Sequence, residues 1–314
     1  MPSFPNGLGD IIEPSTESAA LIASTLFQAG IPAALWGLCA AAEYGGDLCP
    51  LDIELLVNDN DQEHAFTILT SHGLIPSIAD DHDTLSPTTF ASWRQSSSNH
   101  QYRDRRDLRH GAPIYEVPPA QSLDSNSQPV FIPRMFIILY STELTGLAPL
   151  PPPTSYPELL SPSVQNLSES PYVPLSALPG VAGREEDSPA EFATCLLPTF
   201  SRLVESEMHV LPQDPSPDSL EWGQHMAQLS ALVHSRSCPG GLDHVPAIAA
   251  PKFHEFIKWV QLSRKGKRDC HALQRLQEDY KQHGTSVKSI TSRHLTLQVP
   301  LTIWKRINLI CSIM

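Results

Sequence analysis

Residues 33–57 read Ala-Ala-Leu-Trp-Gly-Leu-Cys-Ala-Ala-Ala-Glu-Tyr-Gly-Gly-Asp-Leu-Cys-Pro-Leu-Asp-Ile-Glu-Leu-Leu-Val, and no other stretch narrows the fold as far. An apolar strand breaks at Gly37, a short Ala-rich helix follows, Gly45-Gly46 turns the chain, and a second strand carries Asp52 and Glu54 near its start. Carboxylates two positions apart on a strand point to the same face. Asp52 and Glu54 are therefore candidates to hold one hard cation between them.

The flanks extend this into an α/β beginning. Ser15 suits an N-cap, Glu17 the first turn, and Leu21, Ile22, Leu26 and Phe27 recur with helical period until Gly30. Residues 31–36 read as a buried strand, with Pro32 tolerable only near its start. Beyond the acidic strand, residues 58–61 cap a helix whose apolar positions Ala65, Phe66, Ile68 and Leu69 end at Gly73. Further strands are expected at 74–78, 113–117 and 131–140, the last interrupted by Pro133 and Arg134. Helix, strand, short helix, strand, helix predicts an α/β (α+β) domain with a mixed sheet over 15–148, after a loose N-terminus at 1–14.

Thirty prolines among 314 residues are about twice the usual ~5%. Residues 149–190, rich in Pro, Ser and Glu and including Pro151-Pro152-Pro153, predict an extended linker or long loop and a domain boundary. A helical region at 191–290 and a tail at 291–314 follow. Its first helix, 191–209, has an apolar stripe of Phe192, Cys195, Leu196, Leu203 and Val204 that Pro198 must kink or split. The others are 220–235, 252–262 with Phe253, Phe256, Ile257 and Val260 on one side, and 268–283 with Leu273, Leu276 and Tyr280 before Gly284.

Composition excludes several classes. A net charge of −13 argues against a general nucleic-acid binder, which needs a basic surface. Six cysteines without a C-x-x-C pair suggest neither a zinc site nor a disulfide framework, so reduced thiols in the cytoplasm are expected. The first residues lack the basic and apolar regions of a signal peptide. No apolar run approaches the ~18 residues of a membrane span. Asp80, Asp81, His82 and Asp83 have metal-ligand chemistry without a defined spacing, and read as a solvated acidic loop in preference to a metal site. Arg94 and the run at 102–110 hold the densest positive charge, open either to a triphosphate or another anion or to pairing with Asp104 and Asp107.

Gly37, then Leu38, then Asp52-Ile53-Glu54-Leu55 after thirteen residues resembles the signature of the nucleotidyltransferase (polymerase β-like) superfamily. There a hydrophobic residue, Gly and Gly/Ser open a short helix, and an acid-hydrophobic-acid-hydrophobic strand follows. The order of elements over about residues 12–140 is similar to the minimal antitoxin- or toxin-type branch, which includes many fungal proteins of unassigned role. A fainter likeness is Arg264-Lys265-Gly266-Lys267-Arg268-Asp269, similar to a helix start that closes the site in some members.

The resemblance implies a Mg²⁺ clamp in which carboxylates hold ions that bridge nucleotide phosphates and activate an acceptor hydroxyl. Asp52 and Glu54 would be the catalytic ligands, with Glu116 as positional candidate for a third metal ligand. The backbone at Gly37 and Leu38 would receive the phosphates of an NTP. Leu38 stands where Gly or Ser is usual, and no carboxylate beyond Glu116 fits the third position. The resemblance thus implies weak or lost catalysis in a protein that binds nucleotide or a protein partner. Its alternative is an active Mg²⁺-dependent transfer of a nucleoside monophosphate from an NTP to a protein or small-molecule hydroxyl.

Other chemistry finds less support. There is no G-x-x-x-x-G-K-[ST] loop, G-x-S-x-G elbow or H-E-x-x-H pair. Glycosyltransferases also use an acid-x-acid pair, but within a longer doubly wound domain. The ending Cys311-Ser312-Ile313-Met314 fits the C-a-a-X pattern, with Met favouring a farnesyl group on Cys311. Trp304, Lys305 and Arg306 would add a modest membrane contact, and a single lipid chain anchors only weakly.

Overall fold

Strand β2 (Ile53–Val57) is buried at every position, as expected of a strand covered on both faces. The computed structural model describes residues 8, 11, 13–46, 49–76, 112–117, 135–156, 170–178, 190–211, 220–233, 235, 238, 253–264, 275 and 278. Chain order before β2 runs α1 (Thr16–Gln28), β1 (Ala34–Leu35) and α2 (Gly37–Glu43). After it come α3 (Gln62–Ser71), β3 (Ile75–Pro76), β4 (Ile114–Val117), β5 (Met135–Ser141) and the short α4 (Thr142–Thr145). The remainder supplies β6 (Tyr172–Pro174), β7 (Leu196–Pro198), α5 (Phe200–Val210), α6 (Leu220–Val233) and α7 (His254–Arg264). The fold is α/β, with one mixed seven-stranded sheet in the order β3-β4-β5-β2-β1-β7-β6.

Register assigns side chains to the two faces. Ile53 lies opposite Ile137 of β5, which lies opposite Tyr115 of β4. That face meets α3, where the Tyr115 and Phe66 rings are 5.9 Å apart and the Tyr115 hydroxyl donates to the Phe66 carbonyl. Helix α1 also packs against β2 and α3. Its Ser15 cap accepts the Ser18 amide at 3.1 Å, and Ala19, Ala20, Ile22, Ala23 and Leu26 are buried. The opposite face carries Trp36, Glu54, Ile138 and Tyr140, with Trp36 and Tyr140 rings 4.4 Å apart. Helices α2, α5 and α6 pack together over it, with α6 touching both α2 and α5.

Several expectations need correction. The strand read over 31–36 shrinks to Ala34–Leu35, since Pro32 has no N–H for a ladder. Asp52 lies just before β2 rather than within it. The single helix read over 191–209 is a 3₁₀ turn at Ala190–Ala193, strand β7 and helix α5. Pro198 ends the strand, and Thr199 takes the N-cap position of the helix that follows. Residues 149–190, read as a linker or long loop, contribute β6 to the sheet and buried Leu150, Tyr156 and Leu175 to the core. β6 is an edge strand, the place where prolines such as Pro174 cost no ladder bond. The sheet therefore runs across the expected boundary, and one hydrophobic cluster extends from Leu8 to Trp259.

Helices α6 and α7 fall where periodicity puts them. Most of 268–283, the acidic loop 80–83, Arg94, the basic run 102–110, the segment 265–269 and the tail with Cys311 lie outside the described residues. Among the described residues no helix is long and apolar enough to cross a membrane.

Candidate functional site

Gly37 is the first residue of α2 and has φ +60°, a left-handed conformation that disfavours any side chain. A Cβ there would lie 2.1 Å from Glu54 Oε2 and 2.8 Å from Gln228 Nε2. The glycine thus lets the Glu54 carboxylate reach the start of the helix. The Leu38 amide donates to Glu54 Oε2 at 2.9 Å, placing negative charge where the first-turn N–H groups favour it.

Glu54 is 1% exposed. Gln228, from α6, donates its amide to both carboxylate oxygens at 3.0 and 2.9 Å. Gln228 Oε1 lies 2.9 Å from His225 Nδ1, which is also 3.1 Å from Glu207 Oε2 of α5. Carbonyl and carboxylate oxygens only accept, so Nδ1 carries the proton and donates to them. Beside this chain Trp36 Nε1–H donates to Ser206 Oγ at 2.8 Å, and the Trp36 and His225 rings are 5.7 Å apart. The result is a buried polar seam between sheet and helices, running Leu38, Glu54, Gln228, His225, Glu207.

Asp52 is half-buried. Its Oδ1 accepts the Phe136 amide of β5 at 3.0 Å, and its carbonyl accepts the Cys39 thiol at 3.3 Å. Burial pushes the Cys39 thiol up to about 12, and the charges of Glu54, Asp52 and Glu43 push it the same way against a lowering backbone hydrogen bond. Cys39 is accordingly a protonated packing residue at neutral pH. Glu116 lies in β4, opposite Phe136. Its backbone is two strands from that of Asp52, about 10 Å away, and its side chain lies outside the described residues. The β5 residues on the Asp52 and Glu54 face are Phe136, Ile138 and Tyr140, none of them acidic.

Of the four positions expected to act together, Gly37, Leu38 and Glu54 meet at the junction of α2 and β2, while the Asp52 carboxylate accepts from the Phe136 amide of β5. In this arrangement the pair does not fit a Mg²⁺ ion held between two carboxylates. Mg²⁺ needs near-octahedral oxygen ligation and retains several waters. Glu54 instead has amide donors on both oxygens and Gly37 Cα against it. Among the described residues no group of three His, Cys, Asp or Glu is placed to hold a metal ion.

Sequence reasoning missed Gln228, His225, Glu207 and Ser206. Gln228 and His225 share one face of α6 by their spacing of three, but nothing local marks them as partners of a glutamate 174 residues away. Scans against known families, curated proteins and solved structures found no match to this chain.

Proposed function

We propose that this is a nucleotidyltransferase-like protein in which the acid pair serves structure, and which binds nucleotide or a protein partner without turnover. The single observation that carries this reading is Glu54, buried and held by the Leu38 amide and the Gln228 side chain. Support for the family comes from the element order α1-β1-α2-β2-α3 and from Gly37 opening the helix that faces the acidic strand. A two-carboxylate metal clamp needs both carboxylates turned to a shared opening, and here each accepts from backbone or side-chain amide donors.

One observation favours the alternative, an active Mg²⁺-dependent enzyme: Asp52 retains solvent contact on the same face as Glu54. Incubating the purified chain with labelled NTPs and Mg²⁺ or Mn²⁺ separates the two. The expected result is no label on protein or small-molecule acceptors. Transfer that Asp52→Ala and Glu54→Ala abolish overturns the reading in favour of the enzyme. A nucleotide-dependent rise in melting temperature without transfer identifies nucleotide rather than a protein as the ligand.

A further inference from the structure

We infer that Gln228 stands in for a cation: α6 closes the acid pair by supplying amide donors to Glu54 where a metal ion would otherwise balance its charge. This rests on the reading that the chain does not turn over nucleotide, and it assigns the closure to one side chain of the C-terminal helices. Gln228 Nε2 reaches both carboxylate oxygens at 2.9 and 3.0 Å. The same nitrogen is 2.8 Å from the Cβ position of Gly37, so it sits in the gap bounded by Gly37 and Glu54. His225 Nδ1–H on Gln228 Oε1, itself tied to Glu207, fixes which end of the amide faces Glu54. The three side chains leave α5 and α6 as a latch rather than a passive cover.

Removing the amide has a definite consequence. A buried carboxylate that loses donors gains from any cation or water able to enter, and truncating Gln228 opens that space beside Glu54, on the strand face that Asp52 shares. Mn²⁺ alone is the probe, read by thermal unfolding of the full chain. Mn²⁺ at about 100 times its Kd should raise the melting temperature of Gln228→Ala by about 5 °C, while wild type and the double variant Gln228→Ala/Asp52→Ala stay unchanged. No rise in a folded Gln228→Ala, or an equal rise in wild type, overturns the inference. Where Gln228→Ala does not fold, Gln228→Asn draws the amide back by one methylene and is read the same way. Failure of both to fold makes Gln228 a structural tie and equally overturns the latch. Because no nucleotide is present, an unresponsive Gln228→Ala sinks the latch alone, whereas label transfer by wild type sinks the reading on which it rests.

Discussion

Gly37 and Glu54 define each other. With φ +60° and only 2.1 Å between its Cβ position and Glu54 Oε2, Gly37→Ala meets backbone strain and a collision with a buried carboxylate together. A loss of about 3 kcal/mol is expected, seen as a lower urea midpoint at unchanged slope. Glu54→Ala should lose a similar amount, about 3 kcal/mol, because the Leu38 and Gln228 donors keep their burial without their acceptor. Glu54→Gln retains volume and one acceptor oxygen, so about 1 kcal/mol is expected. Equal urea midpoints for Glu54→Ala and wild type would remove the structural role assigned to this carboxylate.

Cysteines separate sharply at the same scale. Cys39, Cys195 and Cys238 are buried free thiols, and Cys49 is exposed. Iodoacetamide followed by peptide mass mapping should label Cys49 in the native protein and Cys39 and Cys195 only after denaturation. Ionisation follows the same burial. Cys39 rises from 9.0 to about 12 in the folded state, and burial also raises Cys195 and the tyrosines 44, 115, 156 and 172. Above pH 9 the unfolded chain releases the Cys39 proton while the folded chain keeps it, so the unfolded state binds fewer protons and stability falls as pH rises. For Cys39 the slope is about 1.4 kcal/mol per pH unit between 9 and 12. A melting temperature flat over that window would contradict the burial of these groups.

Elements are joined by a few long side chains. Tyr44, the C-cap of α2, donates its hydroxyl to the Pro198 carbonyl of β7 at 2.6 Å, and its ring meets Phe200 edge-on at 5.3 Å. Tyr44→Phe keeps the ring and removes the hydrogen bond, so a loss of about 1 kcal/mol in a urea titration is expected. These contacts explain what could be read in advance. Helices α1 and α3 carry their own evidence, a capping residue and apolar positions at helical spacing, and both appear within a few residues of the expected bounds. Strands β1 and β2 were legible too, from the apolar run that breaks at Gly37 and from the run that follows Asp52, although their antiparallel pairing was not. β6 and β7 were not legible, because strands of three residues holding Pro174 and Pro198 acquire an identity only by pairing with each other and, for β7, with β1. Periodicity reports which residues share a face, and it is silent about which distant side chain will meet them. Hence Asp52 and Glu54 were legible as a pair, and their partners Phe136 and Gln228 were not.

For the whole molecule the consequence is mutual dependence of its two halves. β1 is only two residues long, and one of its neighbours, β7, comes from beyond the proline-rich stretch. Trp36 and Glu54, both fully buried, owe hydrogen bonds to Ser206 of α5 and Gln228 of α6. A chain cut after residue 148 would lose β6, β7, α5, α6 and α7 at once. It would expose one face of β1 and β2, together with a carboxylate and an indole that now have partners. Burying a large apolar side chain contributes about 2 kcal/mol, and losing cover over Trp36, Leu56, Ile138 and Tyr140 approaches the whole stability of an ordinary domain, about 5–15 kcal/mol. Residues 1–148 alone should therefore show weak near-UV circular dichroism and no cooperative melting, while the full chain melts in one transition. A folded, cooperatively melting 1–148 fragment would restore the domain boundary that the prolines suggest.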